Sequence, residues 1–228
     1  MDNSNFSGER RIKSYALRGG RVSEAQGRSR RVLFASYGVP FGPDPLDYAE
    51  VFGNRNPLTI EIGFGMGAAT ARIAQENREK NYLGIEVYKP GIGRLLWEIE
   101  NRGLSNIRII ERDAVEVLER MIPAASVAAF HIFFPDPWPK RRHHKRRLIT
   151  RPFTDTLAEK LCPGGYLYMV TDWADYGDWA LRELSATGGL INPYGGFAPP
   201  QPWRPRTEFE RKGLDKRYQV RELYFCKP

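Results

Sequence analysis

The chain is poor in cysteine and histidine and has no long apolar run, and each shortage excludes a class of protein. Of 228 residues only Cys162 and Cys226 are cysteines, and they lack CxxC spacing. That argues against a zinc site or a disulfide framework and fits a reducing compartment, by default the cytoplasm. No apolar stretch approaches the ~20 residues that cross a bilayer, so no membrane partner is expected. The opening "MDNSNFSGERRIKSY" lacks the apolar segment of a secretory signal. There is no GxxxxGK[ST], nucleophile elbow, HExxH or internal repeat, which sets aside P-loop NTPases and zinc peptidases. His131 sits inside an apolar stretch, as core histidines do. His143 and His144 are adjacent, which on a helix turns them about 100° apart. No metal site is expected.

What is present points to one core and an anionic partner. The chain is 41% hydrophobic, enough for a single sizeable domain. Its net charge of +8 is unevenly spread. Lys140 to Arg147 holds six Lys/Arg and two His in eight positions, and residues 1–31 carry Arg10, Arg11, Lys13, Arg18, Arg21, Arg28, Arg30 and Arg31. This opening stretch, rich in Gly and Ser, reads as a basic arm that is flexible before a partner binds. Residues 32–228 read as the folded domain.

From about residue 57, short β-branched runs alternate with helical ones. "LTIEIG" (58–63), "NYLGIEV" (81–87), "NIRII" (106–110), "SVAAFHIFF" (126–134) and "GYLYMV" (165–170) read as strands. Helical spacing lies between them, around 67–77, 91–103, 114–121 and 147–161, and again over 173–187. This order predicts an α/β fold with a doubly wound, mostly parallel sheet. The Gly/Pro-rich stretch "GGLINPYGGFAPPQPWRPRT" breaks the pattern, and "RYQVRELYF" (217–225) alternates like an edge or hairpin strand.

Ligands of such sheets lie beyond the carboxyl ends of the strands. "EIGFGMGA" follows the first strand and carries Gly63, Gly65 and Gly67 just after Glu61; it fits both GxGxG and the dinucleotide pattern GxGxxA. Glu86, about twenty residues on, has the spacing of an acid that accepts from ribose hydroxyls. Asp113 suits a helix N-cap and can also accept from a base amino group. Asp136 stands between two prolines in "FFPDPWPK", on backbone that proline stiffens. Asp172 follows the fifth strand, and Thr207, Glu208, Phe209 and Glu210 lie in a charged turn. An NAD-dependent oxidoreductase fits the glycines and Glu86, but no convincing hydride-transfer acid or base accompanies them. A non-catalytic RNA-binding protein on the same fold would keep only the basic run.

Taken in order, "EIGFGMG", "GIEVYKPGIG", "RDAVEVL", "FFPDPWPKRRHHKRRL", "TDWADY" and "TEFERKG" resemble the bacterial tRNA (guanine-N7-)-methyltransferases, from about Tyr15 to the C-terminus. The "PDPWPK" block with its basic continuation makes the resemblance specific. It implies a seven-stranded Rossmann-like sheet with an antiparallel last strand, S-adenosyl-L-methionine as cofactor, and tRNA as partner of a monomer or homodimer. The reaction implied is methylation of guanine N7 in the tRNA variable loop. Carried over by motif, Glu61, Gly63, Gly65, Gly67, Glu86, Asp113 and Asp136 bind the cofactor, Asp136 being also catalytic. Lys140, Asp172, Thr207, Glu208, Phe209 and Glu210 bind the substrate. Arg142, His143, His144, Lys145, Arg146 and Arg147 contact RNA.

Overall fold

A computed structural model describes residues 12–16, 22–206, 210 and 219–228. The strands are β1 (Leu58–Ile62), β2 (Asn81–Glu86), β3 (Ile107–Glu111), β4 (Val127–Phe133), β5 (Leu161–Thr171) and β6 (Arg221–Cys226). They form one sheet in the order β3-β2-β1-β4-β5-β6. The first five are parallel, and β6 runs antiparallel to β5. Every residue of β1 and β2 is buried, the polar Thr59, Glu61, Asn81 and Glu86 included, as expected where helices cover both faces of a parallel sheet.

Six strands are present among the described residues where seven were expected. Beyond β6, Ile191 and Ala198 make two isolated antiparallel bridges, to Cys226 and Glu222. Between and after them stand Pro193, Gly195, Gly196, Pro199 and Pro200. Proline cannot donate to a ladder and glycine weakens one, so the pairing stays at two points.

Helices cover both faces. α1 (Glu24–Tyr37), α3 (Ala68–Glu76) and α4 (Lys89–Arg102) lie on one side, over a core that includes Ile73, Leu95, Ile99 and Phe133. α2 (Tyr48–Phe52), α5 (Ala114–Arg120), α6 (Arg151–Lys160) and α7 (Ala174–Ser185) cover the other, with Phe52, Leu118, Leu157 and Leu184 inward. α1 spans position 31, the boundary expected between arm and domain. It opens with a capping box, Ser23 with Gln26. It packs across α4, and Arg30 reaches Glu111 at 2.6 Å. Trp203 seals the β4–β5 part of that face, stacked on His131 with ring centroids 4.7 Å apart. Burial holds the His131 imidazole down to about 3, a neutral core histidine.

The sequence order reverses between β1 and β4, the neighbours from which the chain winds in opposite directions. The crevice at that reversal opens at the carboxyl ends of the strands.

Candidate active site at the carboxyl edge of the sheet

The loop after β1 turns through left-handed backbone at Gly63, Gly65 and Gly67, with φ of 76°, 56° and 72°. These glycines do different work. A Cβ at Gly63 or Gly65 would meet no atom within 4 Å, so both face open space. A Cβ at Gly67 would come 2.6 Å from Leu95 Cβ, so that glycine lets the loop settle on α4. Gly91 completes the packing: a Cβ there would lie 1.8 Å from the Gly65 carbonyl oxygen. The result is a cradle of bare backbone backed closely by α4.

Glu86, at the end of β2, braces this cradle. Its Oε2 accepts from the Gly65 amide at 2.8 Å, and Oε1 accepts from Val87 and Tyr88 at 2.6 and 3.0 Å. Burial pushes the carboxyl up, the three amides oppose that, and the charge of Asp136 adds to the rise. Glu61 is 3% exposed. Burial first, then the charge of Glu86, lift its carboxyl to about 7 against the lowering by Thr70. Among the described residues no Lys, Arg or His forms an ion pair with Glu61. Asp113 caps α5, its Oδ1 accepting from Val115 at 2.9 Å, as its sequence position suggests.

Asp136 sits in the loop after β4, half-buried. The residues two before and two after it, Phe134 and Trp138, have φ of 51° and 46°. Bulky side chains rarely adopt that backbone, which costs on the order of 1 kcal/mol or more at each position. The two prolines between them leave few other conformations. The loop is met from outside by residues 12–16: the Ala16 amide donates to Asp136 Oδ2 at 3.3 Å, and Trp138 Nε1 donates to the Ser14 carbonyl at 2.9 Å. Arg146 lies 3.9 Å over the Trp138 ring and donates to the carbonyls of Lys13 and Tyr15.

The basic run forms a 3-10 turn, Arg141–Arg146, capped by Lys140. Lys140, Arg142 and Lys145 are exposed, while His143, His144 and Arg146 are half-buried. The two histidines diverge, His143 onto Trp138 and His144 onto Trp179. Arg147 is set apart from this series: its side chain is fully buried. Asp172 is half-buried immediately after β5. Glu210 is buried in an ion pair with Arg204 at 2.7 Å, and Arg204 also holds Glu222 at 2.7 Å. Thr207, Glu208 and Phe209 lie outside the described residues. Sequence reasoning passed over Arg204 and Trp138. An arginine and a tryptophan beside prolines were the only local signal, and neither carries a familiar spacing.

These donors and acceptors fit S-adenosylmethionine. Bare backbone at Gly63 and Gly65 can approach a ligand closely, and Glu86 lies beside it. Glu61 is a buried acid with no cationic partner among the described residues, and its charge would be stabilised by the positive end of such a cofactor.

Comparisons with known proteins agree with this geometry. Residues 55–223 match a family model described as a putative methyltransferase. The chain is 47% identical over 216 residues to a tRNA (guanine-N(7)-)-methyltransferase of Nitrosomonas eutropha, covering 95% of this chain and 96% of that one. It is 49% identical over 218 residues to the protein of that name from Paraburkholderia xenovorans, covering 96% of this chain and 84% of that one. Among solved structures it is similar in fold to the 16S rRNA methyltransferase KamB, with TM-score 0.59 and 14% identity over 81% of this chain and 95% of that one. The aminoglycoside resistance methyltransferase NpmB1 gives TM-score 0.55 at 15% identity, over 80% of this chain and 95% of that one. By its sequence along nearly its whole length, the chain belongs to the tRNA (guanine-N(7)-)-methyltransferase family.

Proposed function

We propose that the chain transfers a methyl group from S-adenosylmethionine to N7 of a guanine in the variable loop of tRNA, acting in the cytoplasm. The observation that carries this reading is the meeting of a glycine cradle, Glu61, Glu86 and Asp136 at one sheet edge, from which the basic run departs directly. When bound, the cofactor supplies a methyl group on a positively charged sulfur. Glu86, already oriented by three amides, accepts from ribose hydroxyls, and Asp113 offers its second oxygen to an amino group of the adenine. Glu61 faces positive charge.

Guanine N7 has a lone pair and no proton, so no strong base is needed. Catalysis then rests on positioning and electrostatics. As the methyl moves, positive charge passes from sulfur to the purine, and the Asp136 carboxylate favours that charge while orienting the ring. The loop conformation at Phe134 and Trp138 keeps this carboxylate in place. Lys140, Asp172, Thr207, Glu208 and Phe209 hold the nucleotide, Glu210 being taken up by its buried pair with Arg204, while Arg142, His143, His144, Lys145 and Arg146 face the RNA backbone.

The test is a transfer assay with labelled S-adenosylmethionine and unmodified tRNA transcripts, followed by nucleoside analysis. The reading expects N7-methylguanosine that vanishes when the variable-loop guanine is replaced. Tight tRNA binding without transfer would overturn it in favour of an RNA-binding role alone.

A further inference from the structure

Arg147 closes the basic run in the sequence, yet it does not share the run's surface. Its side chain is 0% exposed, whereas Arg141, Arg142 and Lys145 are exposed. Its Nε donates to the Pro137 carbonyl at 3.0 Å, and Nη2 donates to the Asp175 carboxylate. The guanidinium lies near the rings of Tyr176 and Trp179, with Cζ 5.1 and 5.2 Å from their centroids. A phosphate could reach it only by displacing Asp175 and entering that aromatic pocket.

The two groups it holds flank the proposed site. Pro137 follows Asp136 directly in the chain. Asp175 lies in the first turn of α7, three positions after Asp172. One cation therefore ties the loop after β4 to the first turn of α7, just beyond the loop that carries Asp172. The β4 loop needs such a hold, because Pro135 and Pro137 have no N–H and the flanking backbone is strained. A donor from elsewhere must grip a carbonyl instead, and a forked guanidinium can grip a carbonyl and a carboxylate together.

We infer that Arg147 is a positioning residue, which fixes Asp136 relative to Asp172 by holding Pro137 and Asp175 at once, rather than an RNA phosphate contact. This inference rests on the proposed reading of Asp136 as the group that faces the guanine. Arg147 touches neither reactant, so its effect must come through the geometry of the loop.

The test compares Arg147→Met, Arg147→Lys, Asp175→Ala and the double variant Arg147→Met/Asp175→Ala with wild type. For each, kcat on tRNA, cofactor Kd, tRNA Kd across a salt series and Tm are measured. Arg147→Met should lower kcat on the order of 100-fold, since an ångström of misplacement can cost that much. Its cofactor Kd and the salt slope of tRNA binding should stay at wild-type values. Arg147→Lys, whose ammonium cannot span both partners, should fall between. Asp175→Ala should lower kcat about fivefold, and the double variant should be no worse than Arg147→Met alone, because the two substitutions break one tether.

A salt slope smaller by about 0.9 with kcat retained would make Arg147 a phosphate ligand and overturn the proposal. So would a parallel loss of cofactor affinity and kcat, which marks general damage to the fold. If Arg147→Met fails to fold, the surface-exposed partner decides: unchanged kcat in Asp175→Ala overturns the tether. Were wild type inactive on tRNA, the reading of the function would fall separately. Hydrogen exchange at the Trp138 amide would still decide the tether, faster exchange in Asp175→Ala supporting it and unchanged exchange overturning it.

Discussion

The amide of Ala16 donates to Oδ2 of Asp136 at 3.3 Å, across 120 positions of sequence. Its neighbours reinforce the contact, with the Ser14, Lys13 and Tyr15 carbonyls accepting from Trp138 and Arg146. All of these bonds use the backbone of residues 12–16, so the docking depends little on which side chains stand there. Trp138→Phe removes one bond, worth about 1 kcal/mol, and keeps an aromatic ring under Arg146. Hydrogen exchange at the Ala16 amide should then speed up about fivefold. Unchanged exchange would mean that the Trp138 bond contributes nothing to holding this segment.

Asp136→Asn keeps the shape of the side chain and removes its charge. Turnover on tRNA should drop on the order of 100-fold, the size of effect seen when one electrostatic partner of a transition state is removed. Cofactor affinity should change no more than a few-fold. Steady-state kinetics beside a cofactor titration separate the two. Intact turnover would remove Asp136 from the chemistry.

Gly91→Ala tests the cradle. The added methyl would sit 1.8 Å from the Gly65 carbonyl oxygen, and backbone on both sides leaves little room to yield. A stability loss of about 1–3 kcal/mol is expected. The Gly65 amide would shift against Glu86, so cofactor Kd should rise at least about tenfold. Thermal melting with and without cofactor measures both effects.

Glu61 gives the ligand-free protein a pH dependence. Its carboxyl has an ordinary value of 4.5 and is lifted to about 7 by burial. The folded state therefore holds the proton more tightly than the unfolded state does. The stability this contributes is fully present below pH 4.5 and is lost as pH rises to 7, by about 3 kcal/mol. Glu222, also lifted to about 7 by burial, has the same sign, so the diagnostic quantity is a difference. Denaturant unfolding at pH 5 and pH 8 should show a loss smaller by about 3 kcal/mol in Glu61→Gln than in wild type. Equal losses would rule out Glu61 as the source.

Arg142 and Lys145 are, with Arg141, exposed cations of the 3-10 turn that the basic run turns outward beside its half-buried histidines. Replacing both with Ala should flatten the plot of log binding constant against log salt by roughly 0.7–0.9 for each phosphate no longer neutralised. Methyl transfer at saturating tRNA should persist. Filter binding from about 50 to 200 mM salt is the check, and an unaltered slope would make the pair a solvated face.

Much of the site can be read along the chain because its parts are local. The glycines after β1, the acid ending β2, the cap at Asp113 and the proline-flanked Asp136 each follow a strand directly, and strands announce themselves by apolar runs. The seventh strand, absent among the described residues, was less legible. Residues 188–200 have bridging partners but too many prolines and glycines for a ladder, and only the pairing with β6 shows where they lie. Glu210 is similar: it stands in a mostly charged stretch, yet Arg204 draws it inward beside Glu222.

The sequence by itself determined the parallel α/β order, the edge at which the acids gather and the sign of the charge beside them. Periodicity, glycine conformation and proline stiffness act over a few residues, so no tertiary information was needed. The tertiary structure alone decided which cations of the run face solvent. Arg146 and Arg147 are adjacent and chemically identical, yet one lies over Trp138 and holds residues 12–16, while the other is sealed by Asp175, Tyr176 and Trp179. Burial is a property of the neighbours that folding brings in, and for these two arginines the neighbours come from opposite directions along the chain.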